Sequence, residues 1–369
     1  MIEDPDLEYE EDFPDEDLAS EVAIDDADFD QGSGDKLYEH YRVVADAGQS
    51  LIRIDKYLVD RMTHTTRNRI QQAAEAGFIF VNDKPVKSNY RVKPRDVITL
   101  QLRRPKHELK IIPEDIPLNI IYEDHDLLVI NKPAGLVVHP GHGNYTGTLV
   151  NALAFYLKDD PQYDPDDARV GLVHRIDKDT SGLLVVAKNP ETKADLSRQF
   201  FYKTTHRSYR ALVWGRFDEN EGTVEGNIGR DPKDRLLMTV FPPLSPMGKS
   251  AVTHYRVLEE LAFVSWIECR LETGRTHQIR AHMKYIGHVL FGDQRYGGDK
   301  ILRGNTFVKY QQFVRNCLEI CPRQALHAKT LGFKHPKTGE ELMFDSELPE
   351  DLTILLDKWR AYATQLDNE

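Results

Sequence analysis

The stretch Val173-His174-Arg175-Ile176-Asp177-Lys178-Asp179-Thr180-Ser181-Gly182-Leu183-Leu184 sets four charged side chains between two apolar runs. Val170, Leu172 and Val173 lead in, and Leu183-Leu184-Val185-Val186-Ala187 lead out, the pattern of two buried β-like segments bracketing a short polar excursion. A carboxylate held between rigid elements, with Arg175 two residues before it, stays ionised and aimed at a ligand. Asp177 is therefore the expected centre of the chemistry. The plainer alternative is a turn aspartate that caps its own backbone.

Farther along, Glu272-Thr273-Gly274-Arg275-Thr276-His277-Gln278-Ile279-Arg280-Ala281-His282 gathers two arginines and two histidines behind a glycine. Thr276 reads as a helix N-cap and Gln278 to Tyr285 as the helix it opens, so His277 and Arg280 share a face, with His282 and Lys284 next along. A cationic face of that kind can pair with the Asp177 carboxylate; the alternative is an exposed amphipathic helix.

Around these strings, Leu127 to Ile130 reads as a strand, Lys132-Pro133-Ala134-Gly135 as its turn and Leu136-Val137-Val138 as a further short strand. Arg210 to Trp214, Val252 to Leu258 and Val264 to Leu271 add strands; Thr148 to Tyr156 and Thr192 to Tyr202 add helices. Strands outnumber helices and follow one another closely, which predicts an α+β fold: a mixed, mainly antiparallel central sheet flanked by helices. Residues 161–167, rich in Pro and Asp, and residues 231–250, with several prolines and the bases Lys233, Arg235 and Lys249, read as surface loops, the second a candidate RNA contact.

The 369 residues carry a net charge of −12, unevenly spread. Residues 1–35 hold 16 acidic side chains and no Lys or Arg, leaving 44 acids against 48 bases in the remainder. That segment reads as a disordered acidic tail, either a solubility device or a cover for a basic surface. Residues 50–105 reverse the sign, with 12 Lys or Arg against 5 Asp or Glu. There Ile54, Tyr57, Leu58 and Met62 fall at helical spacing, and a second helix runs from Thr66 to Ala76 and stops at Gly77. Ile79-Phe80-Val81 then turns at Asn82-Asp83, and Ile98, Leu100 and Leu102 alternate as a strand. Arg53, Lys56, Arg67 and Arg69 lie on the two helices as candidate phosphate contacts.

Several motifs, taken together and in order, closely resemble the RluA-type RNA pseudouridine synthases. They are His174-Arg175-Ile176-Asp177 with Thr180-Ser181-Gly182-Leu183-Leu184, Gly274-Arg275-Thr276-His277-Gln278-Ile279-Arg280, Asn131 to Pro140, Tyr209 in Arg207 to Ala211, Phe291-Gly292-Asp293 and Gln324 to Ala328. The resemblance spans roughly residues 116 to 345. It implies isomerisation of a uridine in RNA without cofactor or metal, with Asp177 as the catalytic aspartate, Tyr209 as the active-site tyrosine and Arg280 as the partner of the aspartate. Arg175 would help displace the target base, with His174, His277 and Lys132 as further substrate contacts. Ile176 stands where Leu is more usual, a swap of similar volume. Asp177 acts either as a nucleophile at the sugar or as a base that removes a sugar proton.

The basic segment resembles an S4-like RNA-binding domain, with Thr66-Arg67 where Ser-Arg is usual and Arg95 where a glycine is common. The expected organisation is a tail over 1–35, an S4-like domain over 36–105, a linker over 106–115 and a synthase domain over 116–363. The pairing of domains most resembles members that modify large-subunit ribosomal RNA (RluD-like), with transfer RNA or small-subunit ribosomal RNA as alternatives.

A cytoplasmic monomer is expected: no apolar run approaches the roughly 20 residues of a membrane span, and the acidic N-terminus lacks a signal-peptide core. Cys269, Cys317 and Cys321 match neither a disulfide framework nor a zinc site and read as reduced thiols. Two other classes remain: a metal-dependent hydrolase drawing on His139, His142, His174, His277, His282, His327, Asp177 and Asp179, and a noncatalytic RNA-binding assembly factor. No helical His-x-x-x-His spacing favours the first, and the presence of Asp177 and Arg280 argues against the second.

Overall fold

The computed structural model describes residues 37–62, 65, 67–103, 111–140, 144–164, 167, 169–234 and 236–367. The acidic segment 1–35, Thr66, His142 and half of the expected linker lie outside them. The chain divides into two compact units, Met1–Glu108 and Leu109–Glu369.

In the first unit, β1 (Tyr38–Val44) pairs antiparallel with β6 (Val97–Leu102), β6 with β3 (Ile79–Val81), and β3 with β4 (Lys84–Pro85). β2 (Ile52–Arg53) and β5 (Arg91–Val92) form a separate pair. α1 (Ile54–Arg61) buries Ile54, Tyr57 and Leu58, and α2 (Arg67–Glu75) buries Ile70, Ala73 and Ala74, the apolar stripes that helical spacing predicts. Asn82 and Asp83 both take positive φ in the β3–β4 turn, and Arg95 sits at φ 62°, which explains why a glycine suits that position. β1 was not expected. Its Tyr41 and Val43 are buried, but a register shift between Glu39 and Tyr41 breaks the period-two pattern by which strands are recognised.

The basic residues of this unit are organised by one buried acid, Asp55. Arg53 donates Nε and Nη2 to it at 3.0 Å, Arg67 donates Nη2 at 2.9 Å, and Gln71 Nε2 donates at 2.8 Å. Burial favours the neutral acid, but these donors outweigh it and hold Asp55 at about 2. Arg53 and Arg67 thus tie α1 to α2 while their side chains stay 38% and 46% exposed. Lys56 is exposed and Arg69 half-buried.

The second unit is built on one sheet with the order β12-β11-β13-β14-β10-β15-β9-β8-β7, and β16 also paired to β15. These strands are β7 (Ile120–Glu123), β8 (Leu127–Lys132), β9 (Ser181–Ala187), β10 (His206–Trp214), β11 (Glu221–Arg230), β12 (Met238–Phe241), β13 (Lys249–Leu261), β14 (Val264–Leu271), β15 (Leu326–Lys334) and β16 (Glu341–Asp345). β9 and β15 pair in parallel, through Ser181 with His327 and Gly182 with Ala328; the other pairs are antiparallel. The sheet is thus mixed and mainly antiparallel, as its strand-rich sequence predicts.

The strand period separates two cores. Along β10, Tyr209, Ala211 and Val213 join the core covered by α3 (Leu149–Leu157) and α5 (Gln278–Tyr285). Leu212 and Trp214 join the core covered by α6 (Val308–Ile320) and α7 (Glu350–Asp367). The helix α4 (Pro190–Phe201) follows β9, capped by Asn189, which accepts from the Thr192 amide at 2.9 Å.

Three local expectations are corrected. Residues 136–138 are not a strand: the carbonyls of Val137 and Val138 accept from the Leu149 and Val150 amides, so the segment caps α3. Residues 170–173 are buried but irregular, with one isolated bridge from Leu172 to Val186. Residues 231–250 contain β12, which pairs with β11.

Candidate active site

The polar excursion around Asp177 is pinned from below. Lys132, 1% exposed at the end of β8, donates from Nζ to the carbonyls of Pro133 at 2.8 Å, Leu136 at 2.9 Å and Lys178 at 2.8 Å. Burial pulls the ammonium down to about 7. All three of its protons are engaged by the main chain, so Lys132 binds the Lys-Pro turn to the residue after Asp177. Arg323, clamped by Asp351 through bonds of 2.7 and 3.0 Å, donates to the Asp179 carbonyl at 2.9 Å. The Thr180 amide closes a turn onto the Asp177 carbonyl.

His174, expected as a substrate contact, braces the same loop. Its Nε2 accepts from the Val185 amide at 3.0 Å, and its ring stacks on Phe200 with centroids 4.5 Å apart. Burial, assisted by the nearby Arg207 cation, drives its pKa down to about 3, so the ring is neutral.

Asp177 meets α5 above this loop. Arg280 Nη1 donates to Asp177 Oδ2 at 2.9 Å, while Nε and Nη2 of the same guanidinium fork onto Asp293 at 2.7 and 2.9 Å. Burial disfavours the guanidinium charge, but the two carboxylates more than restore it, and the Arg280 pKa lies above its ordinary value. Burial likewise pushes Asp177 toward its neutral form; His277, Arg280 and Arg175 outweigh it and hold the carboxyl below the usual range. His277 is itself lowered to about 4, chiefly by burial, so near neutrality the arginines do the holding. The Asp177 side chain remains 23% exposed, reachable from solvent.

α5 presents these groups through a tight turn. Its first amide follows His277, not Thr276, and His277 takes a left-handed conformation at φ 53°. That geometry brings Nε2 to 4.0 Å from Asp177 Oδ2 and Nδ1 to 3.1 Å from the Tyr296 hydroxyl. Gln278 locks the turn, accepting from Thr273 Oγ1 at 2.8 Å and the Arg275 amide at 2.9 Å and donating to Val252 O and Thr253 Oγ1, both at 2.9 Å. Gln278 to Met283 are all buried, which excludes an exposed amphipathic helix.

Tyr209 reaches the site from β10. It is 8% exposed, and burial and the Asp177 charge raise its pKa. Arg175, two residues from Asp177, is exposed.

Two members were not assigned from the sequence. Asp293 lies in the Phe-Gly-Asp string, which was the available signal. Tyr296, whose ring centroid is 4.8 Å from Arg280 Cζ, carried none.

Among the described residues, the histidines of the hydrolase alternative do not converge. His282 Nδ1 lies 2.9 Å from Thr253 Oγ1, and His327 sits between Ser181 and Ser346 at 2.9 Å from each. Among the described residues one trio, Asp124, Asp126 and His335, brings potential metal-ligand atoms within 4.8 Å of one another. Its atoms already serve the fold: His335 Nε2 contacts Asp124 Oδ2 at 2.9 Å, Nδ1 accepts from the amides of Lys337 and Thr338, and Asp124 accepts from Tyr122 and two amides. Cys269, Cys317 and Cys321 are buried and unpaired. No described helix is long and apolar enough to cross a membrane.

Residues 126–285 match the family model described as RNA pseudouridylate synthase, and residues 52–98 match the S4 domain. A protein of Chlorobaculum parvum named as an uncharacterized RNA pseudouridine synthase is 49% identical over 317 residues, covering 86% of this chain and 96% of that protein. The "Ribosomal large subunit pseudouridine synthase D" of Zymomonas mobilis is 43% identical over 307 residues, covering 82% of this chain and 92% of its own length. In fold, the structure of Human RNA Pseudouridylate Synthase Domain Containing 4 superposes with a TM-score of 0.51 at 24% identity, over 66% of this chain and 93% of that one. With the Asp177–Arg280 pair presented on this sheet and an S4 domain preceding it, the chain belongs to the RluA-type RNA pseudouridine synthases.

Proposed function

We propose that this enzyme converts uridine to pseudouridine in large-subunit ribosomal RNA, with Asp177 as the catalytic carboxylate. The observation that carries the assignment of Asp177 is its 2.9 Å bond to an arginine that is itself forked onto Asp293. Such a carboxylate is anionic, fixed in direction and within reach of solvent.

The isomerisation is redox-neutral. The bond from uracil N1 to the sugar C1′ breaks, the uracil turns, and C5 bonds to C1′; N1 takes up a proton and C5 releases one. Asp177 either attacks C1′ or removes the proton from the neighbouring sugar carbon, and both routes require the anion that Arg280 maintains. Tyr209 offers a ring face to the uracil and a hydroxyl near the reacting carbons. Arg175, exposed beside the loop, fills the place of the base drawn from its stack, an extrusion costing a few kcal/mol in a helix and less in a loop. His277 lines the pocket without carrying charge.

Arg53, Lys56, Arg67 and Arg69 of the S4 domain dock phosphates and so position RNA without reading its sequence. The choice of ribosomal RNA is supported by relatives from Zymomonas, Neisseria and Vibrio, 41–43% identical and named for the ribosomal large subunit. The working form in this reading is a cytoplasmic monomer, since one chain supplies Asp177, Tyr209, Arg280 and Asp293.

The test uses transcripts of large-subunit, small-subunit and transfer RNA tritiated at uridine C5, incubated with the full-length protein. Tritium should be released from the large-subunit transcript at stoichiometric sites. Release from transfer RNA alone, or from none, would contradict the assignment.

A further inference from the structure

Arg207 stands on β10 two residues before Tyr209, close enough for each side chain to bear on the charge of the other. Its guanidinium lies where three parts of the active site meet. Cζ is 5.3 Å from the ring centroid of Phe200, the ring stacked on His174 of the catalytic loop. Nη1 is 3.0 Å from the point where a Cβ would stand on Gly274, in the turn that presents His277. A side chain at residue 274 would crowd this guanidinium; glycine leaves the space open.

The two buried arginines of the site are answered by acids, Arg280 by Asp177 and Asp293, Arg323 by Asp351, while Arg207 is half-buried. Arg207 differs. Its Nε is sealed from solvent and has no hydrogen-bond partner, and among the described residues no carboxylate lies within ion-pair distance of it. Burial works against its charge, although a guanidinium remains protonated at any pH the fold survives. A cation whose Nε is sealed from water and which no acid answers is costly to keep, and one bordering a site that receives a polyanion is completed by that polyanion. The guanidinium fork matches two oxygens of a phosphodiester.

We propose that Arg207 is the binding site for one backbone phosphate of the RNA, adjacent to the nucleotide whose base reaches Asp177 and Tyr209. This rests on the reading of the site as an RNA isomerase. The contact fixes the sugar relative to Asp177 before the reaction, so its loss is felt in binding.

The experiment measures affinity in the Asp177→Asn background, where turnover does not enter, using transcribed large-subunit ribosomal RNA over a range of salt concentrations. Adding Arg207→Gln should raise Kd about tenfold and reduce the slope of log Kd against log salt by about 0.8, the signature of one lost phosphate contact. Arg207→Lys should keep the slope and recover part of the affinity. Gly274→Ala retains the arginine and should also raise Kd, by crowding Nη1; it serves if removal of the Arg207 side chain prevents folding. Unchanged Kd and slope in both the Arg207→Gln and the Gly274→Ala proteins would overturn the proposal. Turnover of the wild-type enzyme on the same RNA is scored separately and bears only on the proposed function.

Discussion

Arg280 is shared between two acids, and the sharing decides how Asp177 titrates. Asp177 has a depressed pKa in the folded protein, so the anion persists as pH falls to the lower end of the carboxylate range and is lost only below it. Replacing Arg280 with Gln removes the hydrogen bond and the nearest positive charge while burial remains. The acid limb of the kcat profile should then move to higher pH, and kcat at pH 7 should fall by about 100-fold or more, an interaction of roughly 3 kcal/mol. An unshifted limb would show that Arg280 does not control the ionisation. Tyr209→Phe should retain RNA affinity within about twofold and lose most turnover; normal turnover would remove the hydroxyl from the mechanism. At this scale the sequence was most informative. Asp177, Arg280, Tyr209 and His277 were recognisable because each lies in a distinctive string. The main-chain bonds of Lys132 and His174 were not legible, because a string shows that a side chain is required, not whether it faces substrate or main chain.

At the scale of elements, the parallel pairing of β9 with β15 locks the catalytic loop to the rest of the sheet. Gly182 makes that contact at φ 120°, and a Cβ there would stand 2.2 Å from the Ala328 carbonyl oxygen, inside the van der Waals limit against rigid backbone. Gly182→Ala should therefore destabilise the protein by about 3 kcal/mol or more, read as a lowered urea midpoint. A midpoint within error of wild type would mean that the strands separate more freely than their pairing implies. Lys132→Met should lower the unfolding midpoint and kcat together, because three carbonyls around the loop lose their donor. Preserved activity would show that the loop holds its shape without the lysine. Strands with clean alternation, such as Val97–Leu102, were legible, as was the α5 span Gln278–Tyr285. Residues 136–138 misled because apolar residues buried by a helix cap look like a short strand, and the cap of α5 fell on His277 because Gln278 draws the preceding turn tight through four hydrogen bonds.

At the scale of the molecule, buried neutral histidines make stability depend on pH. His282 and His327 are at most 1% exposed, and burial lowers both to about 4. In the unfolded chain they protonate near pH 6.5, so below that pH the unfolded state binds more protons and stability falls as acid is added. At pH 5 the loss is about 2 kcal/mol for each. The thermal midpoint should decline from pH 7 to pH 5, and less steeply in His327→Asn; a flat profile would place these rings in contact with solvent. Charge was legible as a division of labour, with acids gathered in residues 1–35 and bases in residues 50–105. The strand order was not, since pairing β9 with β15 joins residues 146 positions apart and no local pattern encodes it.

The most direct test of the account is a map of pseudouridine in ribosomal and transfer RNA from cells lacking this protein, complemented with the wild-type chain or with Asp177→Asn. Large-subunit sites should disappear from the deletion strain, return with the wild type and stay absent with Asp177→Asn. Sites that also return with Asp177→Asn would contradict the assignment of the chemistry to Asp177, and an unchanged large-subunit map would contradict the assignment of the substrate.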